Sequence, residues 1–162
     1  MSRIIVLLLI LGTCRLYAAT PTNFIQILTD DQGWGDLACY DHNRLKTPHV
    51  DKLAADGMRF THCYSSSGVC SPSRAAILTG RTPYRNGVYH WLNTDREIHL
   101  PASEITLPQL LRKHGYQTAH LGKWHLSHYS NNGGKAPFVF GGDKTQPTME
   151  AYGYDYWFAT GN

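Results

Sequence analysis

Three short apolar runs, each leading straight into a polar cluster, limit what this chain can fold into. Residues 23–29 (Asn23-Phe24-Ile25-Gln26-Ile27-Leu28-Thr29) are apolar and partly β-branched, the composition of a buried strand. Residues 58–64 predict a second strand, with Met58 and Phe60 on one face, and residues 116–121 a third. Helices are predicted between them. In residues 49–56, Val50, Leu53 and Ala54 fall at i, i+3 and i+4, and Gly57 closes the segment. Ser71 is an N-cap candidate with Pro72 at the first helical position, and Gly80 is the stop. Residues 106–114 put Leu107, Leu110 and Leu111 on one face before Gly115. Residues 81–103 lack periodicity, and residues 127–146 read as a polar, Gly-rich surface loop. Strands alternating with helices predict an α/β fold with a largely parallel sheet flanked by helices. Ligands of such sheets gather beyond the carboxyl ends of the strands. The polar clusters Asp30-Asp31, residues 65–74 and residues 122–125 all follow predicted strands.

The first 19 residues stand apart. Arg3 precedes eight unbroken apolar residues, 4–11, and small Ala18 and Ala19 follow, the pattern of an export signal peptide. The apolar run is too short for a membrane span, which needs about 20 residues. Cys14 as a lipoprotein acylation site fits its flanking residues poorly. Export to the periplasm or outside the cell is the expectation. Without residues 1–19, 13 Lys and Arg face 12 Asp and Glu, so the net charge of +3 drops to +1. That excludes the clustered basic surface of a nucleic-acid binder. Cys39, Cys63 and Cys70 remain, an odd number for an exported protein, which points to one reactive or modified cysteine. Whether Cys39 and Cys63 pair stays open.

Two clusters carry chemistry. Asp30 and Asp31 are adjacent carboxylates whose repulsion a hard cation such as Ca²⁺ or Mg²⁺ relieves. For such a pair alone, a solvated acidic turn is the readier account, because such pairs are common. Cys70 precedes a helix, where free N–H groups and the helix dipole favour an anion or a thiolate. Arg74 lies four residues on, about 6 Å along the axis and near the same face. Its forked donors suit a tetrahedral oxyanion. A buried structural cysteine beside a surface arginine is the plainer alternative. His120, His125 and His128 match no strong zinc spacing, and His120 and His128 are read as satisfied or exposed. Tyr152, Tyr154, Tyr156 and Trp157 are read as the packing face of a strand. Arg81 and Arg85 are read as solvated.

The segment Cys70-Ser71-Pro72-Ser73-Arg74-Ala75-Ala76-Ile77-Leu78-Thr79-Gly80-Arg81 resembles the signature of the type I (formylglycine-dependent) sulfatases. Asp30-Asp31-Gln32-Gly33-Trp34-Gly35-Asp36 resembles their first metal loop, and Gly122-Lys123-Trp124-His125-Leu126 their Gly-Lys-Trp-His segment. Residues 47–54 and 153–157 resemble further family elements, so the resemblance covers residues 23–162. It implies the alkaline-phosphatase-like sulfatase fold and a sulfuric ester hydrolase acting on an aryl or carbohydrate sulfate. It implies that a formylglycine-generating (sulfatase-maturing) enzyme oxidises Cys70 to formylglycine. The hydrated aldehyde would attack sulfur with one hydroxyl, and loss of a proton from the second would release sulfate. Asp30, Asp31 and residue 70 would hold Ca²⁺, with Mg²⁺ the alternative. Arg74, Lys123 and His125 would contact the sulfate or the diol.

The family's domain is considerably longer than this chain. Its remaining metal ligands and its second His and Lys have no match here. Residues 20–162 are therefore read as the N-terminal part of a sulfatase catalytic domain, inactive or weakly folded alone. Two alternatives stand beside the sulfatase: a truncated, non-catalytic remnant that binds sulfated glycans, and a phosphodiesterase or phosphonate hydrolase of the same superfold.

Overall fold

The computed structural model describes residues 21–92, 98–127, 129–130, 138–139 and 146–160. The expected leader at residues 1–19, His128 and most of the loop expected at 127–146 lie outside the described residues. A 3-10 turn at Ala38–Tyr40 precedes four helices: α1 (Pro48–Asp56), α2 (Cys70–Thr79), α3 (Pro83–Asn86) and α4 (Leu107–Lys113). The strands are β1 (Ala119–Lys123), β2 (Tyr129–Ser130), β3 (Phe138–Val139) and β4 (Tyr156–Thr160). β1 and β4 pair in parallel, with Ala119 opposite Tyr156 and Lys123 opposite Thr160, while β2 and β3 form a short antiparallel pair.

All three predicted helices form, each with its start shifted by one or two residues. α2 begins at Cys70 with Val69 as N-cap, not at Pro72 with Ser71 as N-cap. The Ser71 hydroxyl is engaged elsewhere, accepting the Leu92 N–H at 3.1 Å. Pro72 still falls in the first turn, where a missing N–H costs nothing. Gly80 ends the helix in the left-handed region at φ +66°. Thr106 starts α4 with a capping box: its hydroxyl accepts from Gln109 N, and the Gln109 side chain accepts from Thr106 N.

Two predicted strands do not form. Residues 23–29 and 58–64 are extended or bent without ladder hydrogen bonds. Ile25 and Ile27 are more than four-fifths exposed, and Met58 and Phe60 also face solvent. An apolar strand of this kind needs cover on both faces. Residues 23–28 instead lie across a cleft of about 650 Å³ from β1. They are held there by the Tyr116 hydroxyl on the Thr22 carbonyl and by the Phe24–Tyr116 ring contact. The third predicted strand forms as β1, starting three residues later and ending two later. The irregular stretch contains the single turn α3. Arg81, expected to be solvated, makes a two-pronged pair with the largely buried Glu104 carboxylate at 2.7 and 2.8 Å.

The core lies between α2 and the inner face of the β1–β4 pair. It contains Ala75 and Leu78 of α2, with Leu100, Trp124, Tyr152 and Tyr154 packed on them. The four aromatics expected on one strand face divide. Tyr152 and Tyr154 are buried before β4 begins, whereas Tyr156 is exposed. Gly153 separates them at φ +92°, a conformation that breaks strand alternation. On the outer face, Leu121, Tyr156 and Phe158 stand exposed, with Leu121 and Phe158 in register.

The turn before β4 is locked from several sides. Thr106 Oγ1 donates to the Tyr152 carbonyl at 2.6 Å, and Thr118 Oγ1 donates to the Gly153 carbonyl at 2.6 Å. The backbone passes so close to α4 that a Cβ on Gly153 would sit 2.5 Å from Gln109 N. Gly153→Ala is therefore expected to cost about 2–3 kcal/mol or more through left-handed strain and this clash, measured by urea unfolding. Burial pushes the Tyr154 phenol up to about 12 and that of Tyr152 higher still. In the unfolded chain these phenols ionise near their ordinary value of about 10. The folded state then holds the proton more tightly, so stability is intact below that value and is lost as pH rises beyond it. Alkaline titration should show unfolding and tyrosinate absorbance rising together.

Candidate active site

The first turn of α2, the end of β1 and the residue pair after the 23–29 segment meet at one place. Cys70 is the first residue of α2, and no side chain caps that helix, so its leading N–H groups are left for other partners. One turn on, the Arg74 guanidinium divides its donors. One nitrogen donates to the Lys123 carbonyl at 2.6 Å and another to Asp30 Oδ1 at 3.0 Å. Lys123 Nζ donates to Asp30 Oδ2 at 2.7 Å and lies 3.5 Å from Cys70 Sγ. Asp31 sits in the left-handed region at φ +52°. One ligand atom each from Asp30, Asp31 and Cys70 falls within 4.8 Å of the others, the one such cluster found among the described residues.

The electrostatics follow from this packing. Hydrogen bonds from Lys123 and then Arg74 hold the Asp30 carboxyl below its ordinary value. Burial alone would pull the Lys123 ammonium down, but Asp30 and Cys70 outweigh it and hold it up. The site therefore has two fixed cations around one ionised carboxylate.

His125 is placed differently. It leaves β1 at φ +57° and is buried, with Nε2 2.8 Å from the Leu92 carbonyl. A carbonyl only accepts, so Nε2 carries the proton. Nδ1 is buried without a hydrogen-bond partner among the described residues. Burial, with Lys123 and Arg74 nearby, lowers its pKa and keeps the ring neutral. No hydrogen bond joins His125 to Asp30, Cys70 or Lys123 among the described residues. His120 is half-buried against Trp124 and Tyr154, with Nε2 3.3 Å from the Gly122 carbonyl. Cys39 and Cys63 are free thiols.

Residues not singled out from sequence also shape the site. Leu92 donates to Ser71 and accepts from His125, so one backbone unit ties the start of α2 to the chain leaving β1. No local pattern marks residue 92, because the tie joins positions 21 and 33 residues away.

A parallel α/β domain with two cations, two carboxylates and a helix N-terminus at one strand end belongs to the alkaline-phosphatase-like class of folds. The sulfatase family model matches residues 22–162, and the chain belongs to the sulfatase family. It is 42% identical over 160 residues to N-acetylgalactosamine-6-sulfatase of Rattus norvegicus, a match covering 94% of this chain and 28% of that protein. The chain thus spans under a third of the length of that relative. A solved structure from Bacteroides thetaiotaomicron, described under metabolism of multiple glycosaminoglycans, superposes with a TM-score of 0.67 at 36% identity. It covers 81% of this chain and 26% of its own. The phosphonate monoester hydrolase of Agrobacterium radiobacter superposes less well, with a TM-score of 0.54 at 26% identity over 77% of this chain and 23% of its own.

Asp30→Asn removes the charge that Lys123 and Arg74 share. The Asp30 side chain is 45% exposed, so the expected loss is under about 1 kcal/mol at neutral pH. Because the folded-state pKa is lowered, this contribution is present above the unfolded carboxyl value and disappears as pH falls through the folded one. Urea midpoints of the two proteins should converge in acid.

Proposed function

We propose that this chain supplies the nucleophile end of a sulfuric ester hydrolase, with residue 70 attacking sulfur after oxidation to formylglycine. The observation that carries this proposal is the meeting of Cys70, Lys123, Arg74 and Asp30 within hydrogen-bond range. The attacking hydroxyl oxygen forms a bond to sulfur and gives up its proton, the ester S–O bond breaks and the departing alcohol oxygen takes up a proton; the second hydroxyl then loses its proton and sulfate is expelled as the aldehyde re-forms. Arg74 and Lys123 offset the negative charge that develops on the sulfate oxygens. His125 contributes Nδ1, the ring nitrogen left without a partner. The sulfated group is carried by a carbohydrate or an aryl alcohol, and the name of the rat relative favours a sugar.

The donor set also supports the modification. Asp30 and Asp31 are hard oxygen donors, whereas a Cys70 thiol is soft and suits Ca²⁺ or Mg²⁺ poorly. An oxygen at residue 70 makes the three donors uniform, and water would complete the coordination shell. When bound, the ion supplies Lewis-acid polarisation. Maturation by a formylglycine-generating enzyme and export of the chain belong to the same proposal. No helix among the described residues is long and apolar enough to cross a membrane.

The test assays a sulfatase domain that carries this chain as its N-terminal part, co-expressed with a maturing enzyme, on nitrophenyl sulfate and on a sulfated galactosamine with Ca²⁺ present; the chain alone is expected to show little release. Sulfate release should fall to background with a chelator and in Cys70→Ala, and phosphate mono- and diesters should react far more slowly. Mass spectrometry of the residue-70 peptide should show the aldehyde. Release that survives Cys70→Ala would refute the assignment. Phosphonate or phosphodiester turnover exceeding sulfate turnover would favour the chemistry of the Agrobacterium neighbour. Glycan binding with an unmodified thiol and no release would favour a non-catalytic binder.

A further inference from the structure

Beside the site, the chain exposes three consecutive residues between two buried anchors. Val88 and Leu92 are buried, while Tyr89, His90 and Trp91 face solvent, with Trp91 45% and Tyr89 52% exposed. Both anchors are hydrogen-bonded: Val88 N donates to Asn86 Oδ1 at 3.0 Å, and Leu92 N donates to Ser71 Oγ at 3.1 Å. The second bond pins the tripeptide to the residue after Cys70. The Trp91 indole stands edge-on to the His125 ring, with centroids 6.0 Å apart. A large aromatic thus lies against His125, on backbone tied down at residues 88 and 92, with nearly half its surface exposed.

Isolated exposed apolar residues are ordinary, but an indole fixed from both sides beside reactive groups is placed for contact. We propose that Trp91 is a specificity-determining residue that stacks against the sugar ring bearing the sulfate. A sugar has C–H faces and hydroxyl edges. It suits an open indole flanked by the polar tips of Tyr89 and His90, whereas an aryl group gains most in an enclosed apolar slot. This inference rests on residues 70, 74 and 123 forming the sulfate site. It adds the class of alcohol and the residue that selects it.

The test measures equilibrium binding of galactose 6-sulfate, inorganic sulfate, nitrophenyl sulfate and methyl galactoside to the full chain, to Trp91→Ala and to Trp91→Phe. The wild type should bind the sugar sulfate roughly five- to tenfold tighter than inorganic sulfate, the gain expected of one aromatic contact. Trp91→Ala should erase that ratio without changing sulfate affinity, and Trp91→Phe should keep most of it. An unchanged ratio in Trp91→Ala overturns the inference, as does equal loss of sulfate affinity, which would mark Trp91 as structural. A gain confined to nitrophenyl sulfate overturns it in favour of an aryl alcohol. If inorganic sulfate does not bind at all, the sulfate site itself is refuted. Methyl galactoside then judges Trp91 separately: weak binding lost in Trp91→Ala supports stacking, and no binding overturns it.

Discussion

The site depends on the Asp30 carboxylate, which binds Lys123 with one oxygen and Arg74 with the other. These three residues come from three separate stretches of chain. Asp30 ends a segment with no ladder of its own, Arg74 lies on α2, and Lys123 is the last residue of β1. Exposed ion pairs contribute little stability singly. Here their effect is positional. Arg74 also holds the Lys123 carbonyl, so the helix and the strand end are fastened by the same group that meets the carboxylate. Two cations then lie near Cys70 without facing each other unscreened.

Much of this was legible in the sequence because it depends on neighbouring residues. Gly80 and Gly115 mark helix ends through left-handed turns, and both form as expected, while the Thr106–Gln109 capping pair, equally local, was not singled out from sequence. The polar clusters 30–31, 65–74 and 122–125 were expected to converge, and the structure brings Asp30, Cys70, Arg74 and Lys123 together. Residues 23–29 and 58–64 have strand composition, but a strand exists only when a partner supplies its hydrogen bonds. Composition does not encode that partner. Ser71 shows the same limit at the scale of one hydroxyl. It is a good cap by type, yet a distant N–H from Leu92 claims it.

His125 shows how burial and hydrogen bonding specify a chemical state. One carbonyl fixes the proton on Nε2, and burial and the two nearby cations keep the ring neutral. The imidazole therefore keeps a lone pair at Nδ1 that meets no donor among the described residues, and no positive charge. The local positive charge comes from Arg74 and Lys123, a division that the spacing of Gly-Lys-Trp-His alone does not reveal.

The outer face of the β1–β4 pair has a consequence for how the molecule behaves in bulk. Leu121, Tyr156 and Phe158 line it, and the outer edge of β1 has no ladder partner among the described residues. An unpaired parallel edge beside an apolar face is a template for another strand. Protein concentration therefore becomes a thermodynamic variable. Dilution keeps the face in water, while crowding of identical chains rewards its removal by self-association, in competition with any natural cover. The same β1 that delivers Lys123 to the site thus carries the face on which such association would occur.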